Sequence, residues 1–351
     1  MSQGFTLLNS QNLSCAAFMQ QPAAWQAQVL GAICFSATPC EPAGNPPHID
    51  VAMPVLGCMQ ATPVASAHTA AICEVWLSAA KLTSDQSGDI RYRHDDSLLF
   101  GVVQLDEQDA ESALASPLQS TTERAYRQIF ALLDTLDFPF VYRFWNYMAD
   151  INGHSDNLER YRQFNLGRQD AFMASKRDVA GNVPAACALG AANGPLSIAF
   201  LAGRMPALAI ENPRQLSAYD YPQDYGPRSP IFSRASLIRM DTQTILFISG
   251  TASIVGHATV HPTDVQAQTR ETLANIEAIV QAANRESRYA SITLGNLFYR
   301  VYVRHAADLP AIQAVMQTQI GASFDAVFLQ ADVCRQDLLV EIEASASVPT
   351  A

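Results

Sequence analysis

Two glutamates near the C-terminus are the residues of this sequence best suited to proton transfer. Residues 338–344 alternate between apolar and polar side chains, which is the pattern of a half-buried β-strand. Val340 and Ile342 then face a core, and Glu341 and Glu343 face the opposite side. A carboxyl group held on a strand beside a pocket can donate a proton if its surroundings raise its pKa. The strand pattern taken alone favours the simpler interpretation, in which both glutamates are exposed to solvent.

The composition limits the classes of function. A chain of 351 residues with 49% apolar content can bury a sizeable core, and its length suggests two structural units. The formal net charge of -11 argues against nonspecific binding to nucleic acid or to an anionic membrane surface. Only Lys81 and Lys176 are lysines among the 22 basic residues. Because guanidinium groups bind carboxylates well, this bias favours an arginine-lined pocket for an anionic substrate, although genomic base composition produces the same bias.

The sequence predicts neither a targeting segment nor a metal site. The seven cysteines form no CxxC pair and are odd in number, so we expect reduced cytosolic thiols. The N-terminus has no basic region followed by an apolar run, which predicts a cytoplasmic protein. The apolar region 183–210 is interrupted by polar, charged and proline residues and is not expected to cross a membrane. His257 and His261 have the spacing of metal ligands on a helix, but Pro262 favours a strand or loop there.

An internal repeat begins at residue 90. Residues 90–105 and 237–252 each read as a strand, a polar turn and an apolar strand, and they align with an offset of 147 residues. At the same offset, residues 119–133 and 266–280 both have the apolar spacing of an amphipathic helix. A strand, a second helix and two further strands follow in each copy. The repeat predicts an α+β fold with two units, each a mixed β-sheet covered by helices on one face.

The repeat also predicts the domain boundaries. Residues 1–88 contain several prolines and are expected to form a loop-rich extension that packs on the first unit. Residues 89–215 form the first unit, which is a degenerate copy. Residues 216–351 form the second unit, which carries Glu341.

The second unit resembles the RidA/YjgF family. Because the first unit is a copy of the second, the resemblance implies two RidA-like (chorismate-mutase-like) units. GPRS at 226–229, the strand at 247–250 and the last segment at 340–346 are similar to motifs of that family and occur in the same order. The deaminases of that family carry an arginine in a Pro-x-Arg-Ser segment before the closing hairpin. The corresponding segment 323–333 has no arginine, which argues against imine deamination.

Residues 89–346 as a whole resemble the chorismatase family, which is built from two such units. The resemblance is carried by RFWNYMADIN at 143–152, LERYRQFNLGRQDAF at 158–172, SGTASIVGH at 249–257 and CRQDLLVE at 334–341. It implies an enzyme that removes pyruvate from chorismate without a metal or organic cofactor. Family members either hydrolyse chorismate to a dihydroxycyclohexadiene carboxylate or convert it to hydroxybenzoate. Gly250 and Cys334 resemble the second branch, which implies 3-hydroxybenzoate as the main product and leaves a share of 4-hydroxybenzoate open.

The same resemblance assigns roles to particular residues. Glu341 is the acid that protonates the enolpyruvyl group, which requires a dry pocket that keeps its carboxyl group neutral. Gly250 leaves room for the substrate, and Cys334 excludes water or guides the opening of an epoxide. The candidate partners of the carboxylates and the ring hydroxyl are Arg160, Arg168, Arg228, Arg304, Tyr219 and Tyr225. Each of these residues also has a simpler interpretation. The arginines would be exposed on the surface, the tyrosines would pack between the units, Cys334 would be a core thiol, and Gly250 would be required by sheet packing.

Three alternatives stay open at the level of sequence. The hydrolytic branch of the same family would give a dihydrodiol, and an imine deaminase would release ammonia. A binding module without catalysis would be insensitive to a change of Glu341. We expect chorismate as the partner, with no nucleic acid or membrane, and a monomer or a small homo-oligomer.

Overall fold

The computed structural model describes residues 8–37, 46–59, 70–109, 115–287 and 292–349. The N-terminal part contains β1 (Leu8–Ser14), α1 (Cys15–Met19), α2 (Ala23–Gln26), β2 (Val29–Ser36), β3 (His48–Ala52), β4 (Val55–Met59) and β5 (Ala71–Ser78). The middle part contains β6 (Thr83–Ser87), β7 (Ile90–His94), β8 (Leu98–Leu105), α3 (Pro117–Leu136), β9 (Phe140–Ala149), β10 (His154–Ser155), β11 (Leu158–Glu159), α4 (Arg160–Ala174), β12 (Ala185–Ala191) and β13 (Leu196–Gly203). The C-terminal part contains β14 (Ala207–Ile210), β15 (Ala235–Arg239), β16 (Gln243–Ala252), β17 (Ile254–Val255), β18 (Ala258–Thr259), α5 (Val265–Glu286), β19 (Phe298–Val303), α6 (Leu309–Ile320), β20 (Asp325–Gln330) and β21 (Val340–Pro349).

Two large sheets confirm the predicted duplication. The six-stranded sheet has the order β12-β9-β13-β8-β7-β6, and the seven-stranded sheet has the order β14-β15-β16-β21-β19-β20-β4. In each sheet the last strand of the unit, β13 or β21, lies between a hairpin, β7–β8 or β15–β16, and the strand β9 or β19. The parallel pairs are β9 with β12 and β19 with β20, because a helix, α4 or α6, joins the two strands of each pair. The apolar stripes of α3 and α4 pack on the first sheet and those of α5 and α6 on the second.

The N-terminal region differs from its prediction. It forms a four-stranded sheet with the order β1-β5-β2-β3, in which β2 is parallel to β3 and antiparallel to β5. This is the order and direction of β8-β13-β9-β12, so the region is a shortened third copy of the same sheet. In addition, β4 joins the seven-stranded sheet and β6 joins the six-stranded sheet. For the residues that the structure describes, the prediction of a loop-rich extension is therefore wrong, because most of them form strands that are distributed over the three sheets. The boundaries at 88 and 215 stay predictions.

The three sheets face one another around a central core. Trp76 on β5, Trp145 on β9 and Phe247 on β16 are in mutual contact, with ring centroids 5.6 to 6.2 Å apart. All three side chains are at most 3% exposed. Aromatic residues that pack in this way bury a large apolar area, so the sheets are held rigidly against each other.

The cysteines also differ from their prediction. Cys34 and Cys73 lie directly opposite each other on the antiparallel strands β2 and β5, and they form a disulfide bond. This corrects the expectation that all seven cysteines are reduced thiols, since the pairing depends on a strand register that the spacing of the cysteines does not reveal. Cys58, Cys187 and Cys334 are free thiols. In the parts of the chain that the structure describes, no helix has the length and apolar character to span a membrane.

Candidate active site

Glu341 lies at the start of β21, between β16 and β19. Its backbone neighbours are Ala252 on β16 and Tyr302 on β19. Glu341 and Glu343 are only 3% and 4% exposed. The simpler interpretation, in which both glutamates are exposed, is therefore wrong, because other sheets cover the polar face of this strand.

A bulge in β16 brings the backbone against the Glu341 side chain. The pairing of β16 with β21 changes register between Ile248 and Thr251. A Cβ atom at Gly250 would collide with the Glu341 carboxyl group, lying 2.9 Å from its Cδ atom, and would be 3.3 Å from the Cβ of Cys187. Only glycine leaves room for the carboxyl group in this position.

Ser249 fixes the bulge between the two large sheets. Its hydroxyl group donates to the carbonyl oxygen of Ser233 at 2.6 Å and accepts from the amide of Ala186 on β12 at 2.9 Å. Since the hydroxyl is buried and satisfied on both sides, the position of the neighbouring Gly250 is well determined.

Burial controls the protonation of Glu341. It raises the pKa of this carboxyl group from 4.5 to about 8, and the negative charge of Glu343 contributes in the same direction. A hydrogen bond from the Cys334 thiol and the charges of Arg143 and Arg304 act in the opposite direction but are outweighed. Glu341 is therefore a neutral acid at pH 7, and burial likewise raises the pKa of the Cys334 thiol well above its ordinary value.

Glu341 opens into a cleft between the six-stranded and the seven-stranded sheets. The cleft has a volume of about 360 Å³, which is in the range of roughly 300–1,000 Å³ that is typical of small-molecule sites. A small inner pocket of about 30 Å³ lies next to it. Both spaces are lined by Tyr161, Phe232, Gly250, Cys334 and Glu341, so they form one continuous site.

Arg168 from α4 points into the inner pocket. The residue is 2% exposed, and its Nη2 donates to Asn165 Oδ1 at 2.9 Å. Its Nε has no hydrogen-bond partner, and it forms no ion pair with any carboxylate in the described ranges. A buried guanidinium with a free donor is well suited to bind an anion.

Three further arginines line the outer cleft and were not singled out from the sequence, and one of them, Arg162, pairs with Glu159. The Arg234 Nη2 donates to Tyr221 Oη at 2.9 Å, and its Nε has no partner. Arg335 stacks on Tyr225, with 4.0 Å between the guanidinium carbon and the ring centroid. The signals were present, since Arg234 lies shortly after the RidA-like motif at 226–229 and Arg335 directly follows the candidate Cys334.

The comparisons with known proteins agree with this architecture. Residues 74–202 match the family model described as Chorismatase FkbO/Hyg5-like, N-terminal, and residues 232–348 match the model Endoribonuclease L-PSP. A 3-hydroxybenzoate synthase from Streptomyces hygroscopicus is 35% identical over 279 residues, which cover 77% of this chain and 80% of the relative. This chain belongs to the chorismatase family.

Two other chorismatases extend the comparison. A chorismatase from Streptomyces hygroscopicus is 35% identical over 84% of this chain and 85% of its own length. The crystal structure of a chorismatase, at 31% identity, covers 98% of this chain and 100% of its own with a TM-score of 0.83. The fold of this chorismatase family member is thus that of the family over nearly its whole length.

The structure brings five of the predicted site residues together. Glu341, Gly250, Cys334, Arg168 and Tyr225 all line the cleft or its inner pocket. They come from separate segments of both units, so the prediction of a shared site is consistent with the geometry. Their roles in catalysis and binding stay predictions.

Three predicted binding residues lie away from the cleft. Arg160 forms an ion pair with Glu107, and it is eight residues from Arg168, or about 80° around the helix. Tyr219 packs against the core of the six-stranded sheet, and Arg228 is exposed. This corrects their expected placement, because residue type and spacing do not reveal which partners a side chain finds.

Arg304 is the fourth residue whose placement differs, since it does not line the cleft. Its guanidinium donates to the carbonyl oxygens of Val333, Arg335 and Leu338 at 2.8 to 3.1 Å. It therefore holds the loop that presents Cys334 to the cleft.

Proposed function

We propose that this chain cleaves chorismate to pyruvate and mainly 3-hydroxybenzoate, and that it uses the Glu341 carboxyl group as the proton donor. The observation that carries the proposal is a buried, neutral carboxyl group at the floor of an arginine-lined cleft. The name of the 3-hydroxybenzoate synthase to which the chain is similar supports the choice of product. The expected cytoplasmic location of this chain, and its expected state as a monomer or small homo-oligomer, stay predictions.

The reaction begins with proton transfer to carbon. Glu341 transfers its proton to the terminal vinyl carbon of the enolpyruvyl group, which becomes a methyl group and leaves an oxocarbenium ion. The neighbouring ring hydroxyl then attacks the ring carbon that carries the ether oxygen. The bond from that carbon to the ether oxygen breaks, its electron pair completes the carbonyl group of pyruvate, and the ring retains an arene oxide. The proton of the attacking hydroxyl returns to the Glu341 carboxylate. Opening of the oxide, with loss of a proton from the ring carbon and gain of a proton by the oxygen, gives hydroxybenzoate, so that no water is consumed.

The two carboxylates of the substrate are assigned to different arginines. The enolpyruvyl carboxylate is attached to the carbon next to the one that Glu341 protonates, so it belongs in the inner pocket beside Arg168. The ring carboxylate then lies in the outer cleft with Arg234 and Arg335. Charge-assisted hydrogen bonds of this kind orient the substrate as well as bind it.

The walls of the inner pocket favour the intramolecular route over hydrolysis. Tyr161, Phe232 and Cys334 surround the acid with aromatic rings and a neutral thiol. A pocket of about 30 Å³ has space for about one water molecule and is filled once a carboxylate enters it. Exclusion of water leaves the ring hydroxyl as the available nucleophile.

The test is incubation of the purified protein with chorismate, followed by chromatography of the products. We expect pyruvate in an amount equal to the total hydroxybenzoate, with 3-hydroxybenzoate as the main isomer and any 4-hydroxybenzoate as a minor product. A dihydrodiol as the sole product would reject the intramolecular route in favour of the hydrolytic branch. Ammonia release from an enamine substrate, with chorismate unchanged, would reject chorismate cleavage.

The pH dependence follows from the state of Glu341. Because the acid is active only in its protonated form, kcat/KM for pyruvate release is expected to be constant around neutral pH and to fall as the pH rises through about 8. Initial rates across this range, with chorismate stability measured in parallel, provide the check. A rate that rises with pH through this range would show that the carboxylate form of Glu341 is the active one.

Loss of Arg168 is expected to weaken substrate binding. Arg168→Met should lower kcat/KM by about 10- to 100-fold, since one charge-assisted hydrogen-bonding group is removed from a buried site. Arg168→Lys should recover part of the loss, and circular dichroism would confirm the fold. Arg270→Met, on the exposed side of α5, is the control. Equal kinetics for Arg168→Met and the control would place the carboxylate elsewhere.

A further inference from the structure

A cluster of four buried charges lies behind the active-site cleft, and we call it the core charge cluster. Its members are Glu74 on β5, Arg143 on β9, Arg300 on β19 and Glu343 on β21, so all three sheets contribute to it. Their side chains are at most 5% exposed. Glu343 pairs with both arginines, and Arg300 also pairs with Glu74.

The core charge cluster is neutral as a whole. Two guanidinium groups balance two carboxylates, and the hydroxyl of Tyr302 donates to Glu343 Oε1 at 2.8 Å. Burial raises the pKa of Tyr302 well above its ordinary value, so this hydroxyl stays protonated. Although burial alone would favour protonation of Glu343, Arg300 and Arg143 outweigh it and lower its pKa. Glu343 is therefore a carboxylate.

Glu343 is the member of the core charge cluster that lies on the same strand as Glu341, the proposed proton donor. Glu341 and Glu343 are two residues apart on the same face of β21, which separates their Cα atoms by about 6.6 Å. Cys187 lies between them, because it lines the inner pocket with Glu341 and hydrogen-bonds to Glu343. Burial raises the pKa of this thiol well above its ordinary value, so it adds no charge.

From this arrangement we propose that Glu343 is a positioning residue, whose fixed negative charge adds to the effect of burial in keeping Glu341 protonated in the cleft. Of two adjacent carboxyl groups, the one with cationic partners ionises and the other retains its proton. Here Arg143 and Arg300 select Glu343 for ionisation. The inference rests on the proposed function, in which Glu341 is the proton donor.

Other groups also face Glu341, and none replaces Glu343. The outer cleft is lined by further charged or titratable side chains, which are His154, Glu159, Arg162, Tyr221, Asp224, Tyr225, Arg234, Arg335 and Asp337. Those that line the inner pocket or act on the Glu341 carboxyl group are Arg143 from β9, Tyr161 and Arg168 from α4, Cys187 from β12, Arg304 after β19, and Cys334 before β21. The arginines among them favour the carboxylate form, and the thiols and the tyrosine are neutral. Glu343 is the buried carboxylate that acts on Glu341 from the same face of β21, and without it the core charge cluster would carry a net positive charge next to Glu341.

The test compares Glu343→Gln with the wild type by kinetics and by infrared titration. In Glu343→Gln we expect the alkaline limb of the pH profile, where kcat/KM falls, to shift to lower pH by about one unit. A like charge at this distance has an effect of that size on a pKa. The infrared band of the protonated Glu341 carboxyl group should disappear at a correspondingly lower pH. Glu341→Gln, which lacks the band, identifies it.

Two variants distinguish this role from a purely structural one. Glu74→Gln removes an equal charge from the same cluster, but Glu74 pairs with Arg300 rather than with a neighbour of Glu341, so the limb should stay close to that of the wild type. The double variant Arg143→Gln with Glu343→Gln removes one charge of each sign and should return the limb towards the wild type. If Glu343→Gln alone does not fold, the pH profile of the double variant is compared with that of the wild type instead.

The proposal is overturned if the limb and the infrared titration of Glu343→Gln match those of the wild type. It is equally overturned if the double variant shows a downward shift as large as the one expected for Glu343→Gln. The infrared titration needs no turnover of chorismate. Failure of the proposed function, with no pyruvate from any variant, is therefore distinguishable from failure of this inference.

Discussion

Replacing Glu341 with glutamine is expected to reduce pyruvate release from chorismate by about 100- to 10,000-fold, which is the usual contribution of general acid catalysis. The amide keeps the size of the side chain but cannot donate a proton to carbon. The substrate KM should change little, because the carboxylates of chorismate are assigned to arginines. Initial rates of pyruvate formation provide the measurement. Glu286→Gln, an exposed substitution at the end of α5, is the control.

The same variant is expected to be more stable than the wild type at neutral pH. The pKa of Glu341 is raised from 4.5 to about 8 in the folded chain, so folding favours the protonated form. The associated stability is fully present below pH 4.5 and is lost as the pH rises towards about 8. At pH 7 the free energy of unfolding of Glu341→Gln should exceed that of the wild type by up to about 3 kcal/mol.

Urea denaturation of both proteins at several pH values would measure this difference. It should be small near pH 4.5 and should grow as the pH rises towards about 8. A variant that is less stable than the wild type throughout, or fully active, would contradict the assignment of Glu341 as a buried neutral acid.

Replacing Gly250 with alanine is expected to slow 3-hydroxybenzoate formation by about 100-fold, because a displacement of about 1 Å in a reacting group has an effect of this size. The new methyl group would occupy the space of the Glu341 carboxyl group. The carboxyl group is the end of a flexible side chain, so it can move aside without unfolding the protein. Since the substrate also loses room to place its ring hydroxyl, we expect the share of dihydrodiol among the products to rise.

A matched control exists on β4. Gly57→Ala places a methyl group whose nearest contact is Gln313 Nε2 at 4.0 Å, so it tests the effect of alanine in a strand without a collision. Product chromatography and thermal denaturation of both variants complete the experiment. Wild-type rate and product ratio in Gly250→Ala would show that the close approach of β16 to Glu341 has no catalytic role.

Much of the architecture could be predicted from the sequence because the periodicity of apolar residues is a local property. The hairpins β7–β8 and β15–β16 and the helices α3 and α5 appeared at a constant offset, and two copies supported one interpretation. The N-terminal sheet could not be recognised in this way. Its strands β2 and β5 are buried along nearly their whole length and, apart from Glu74, are short runs of mainly apolar or small residues without alternation. Such runs do not reveal whether a segment is strand or helix.

The sequence by itself determined the duplicated sheets, the presence of Glu341 on the closing strand, and Gly250 and Cys334 as its candidate neighbours. Only the tertiary structure decided that Glu343 is an ionised partner of Arg143 and Arg300, and that Arg168 lines the cleft while Arg160 does not. The physical reason is that protonation and binding depend on burial and on the charges nearby. Those charges come from three sheets that are distant in the chain, and no local pattern of residues records which of them meet.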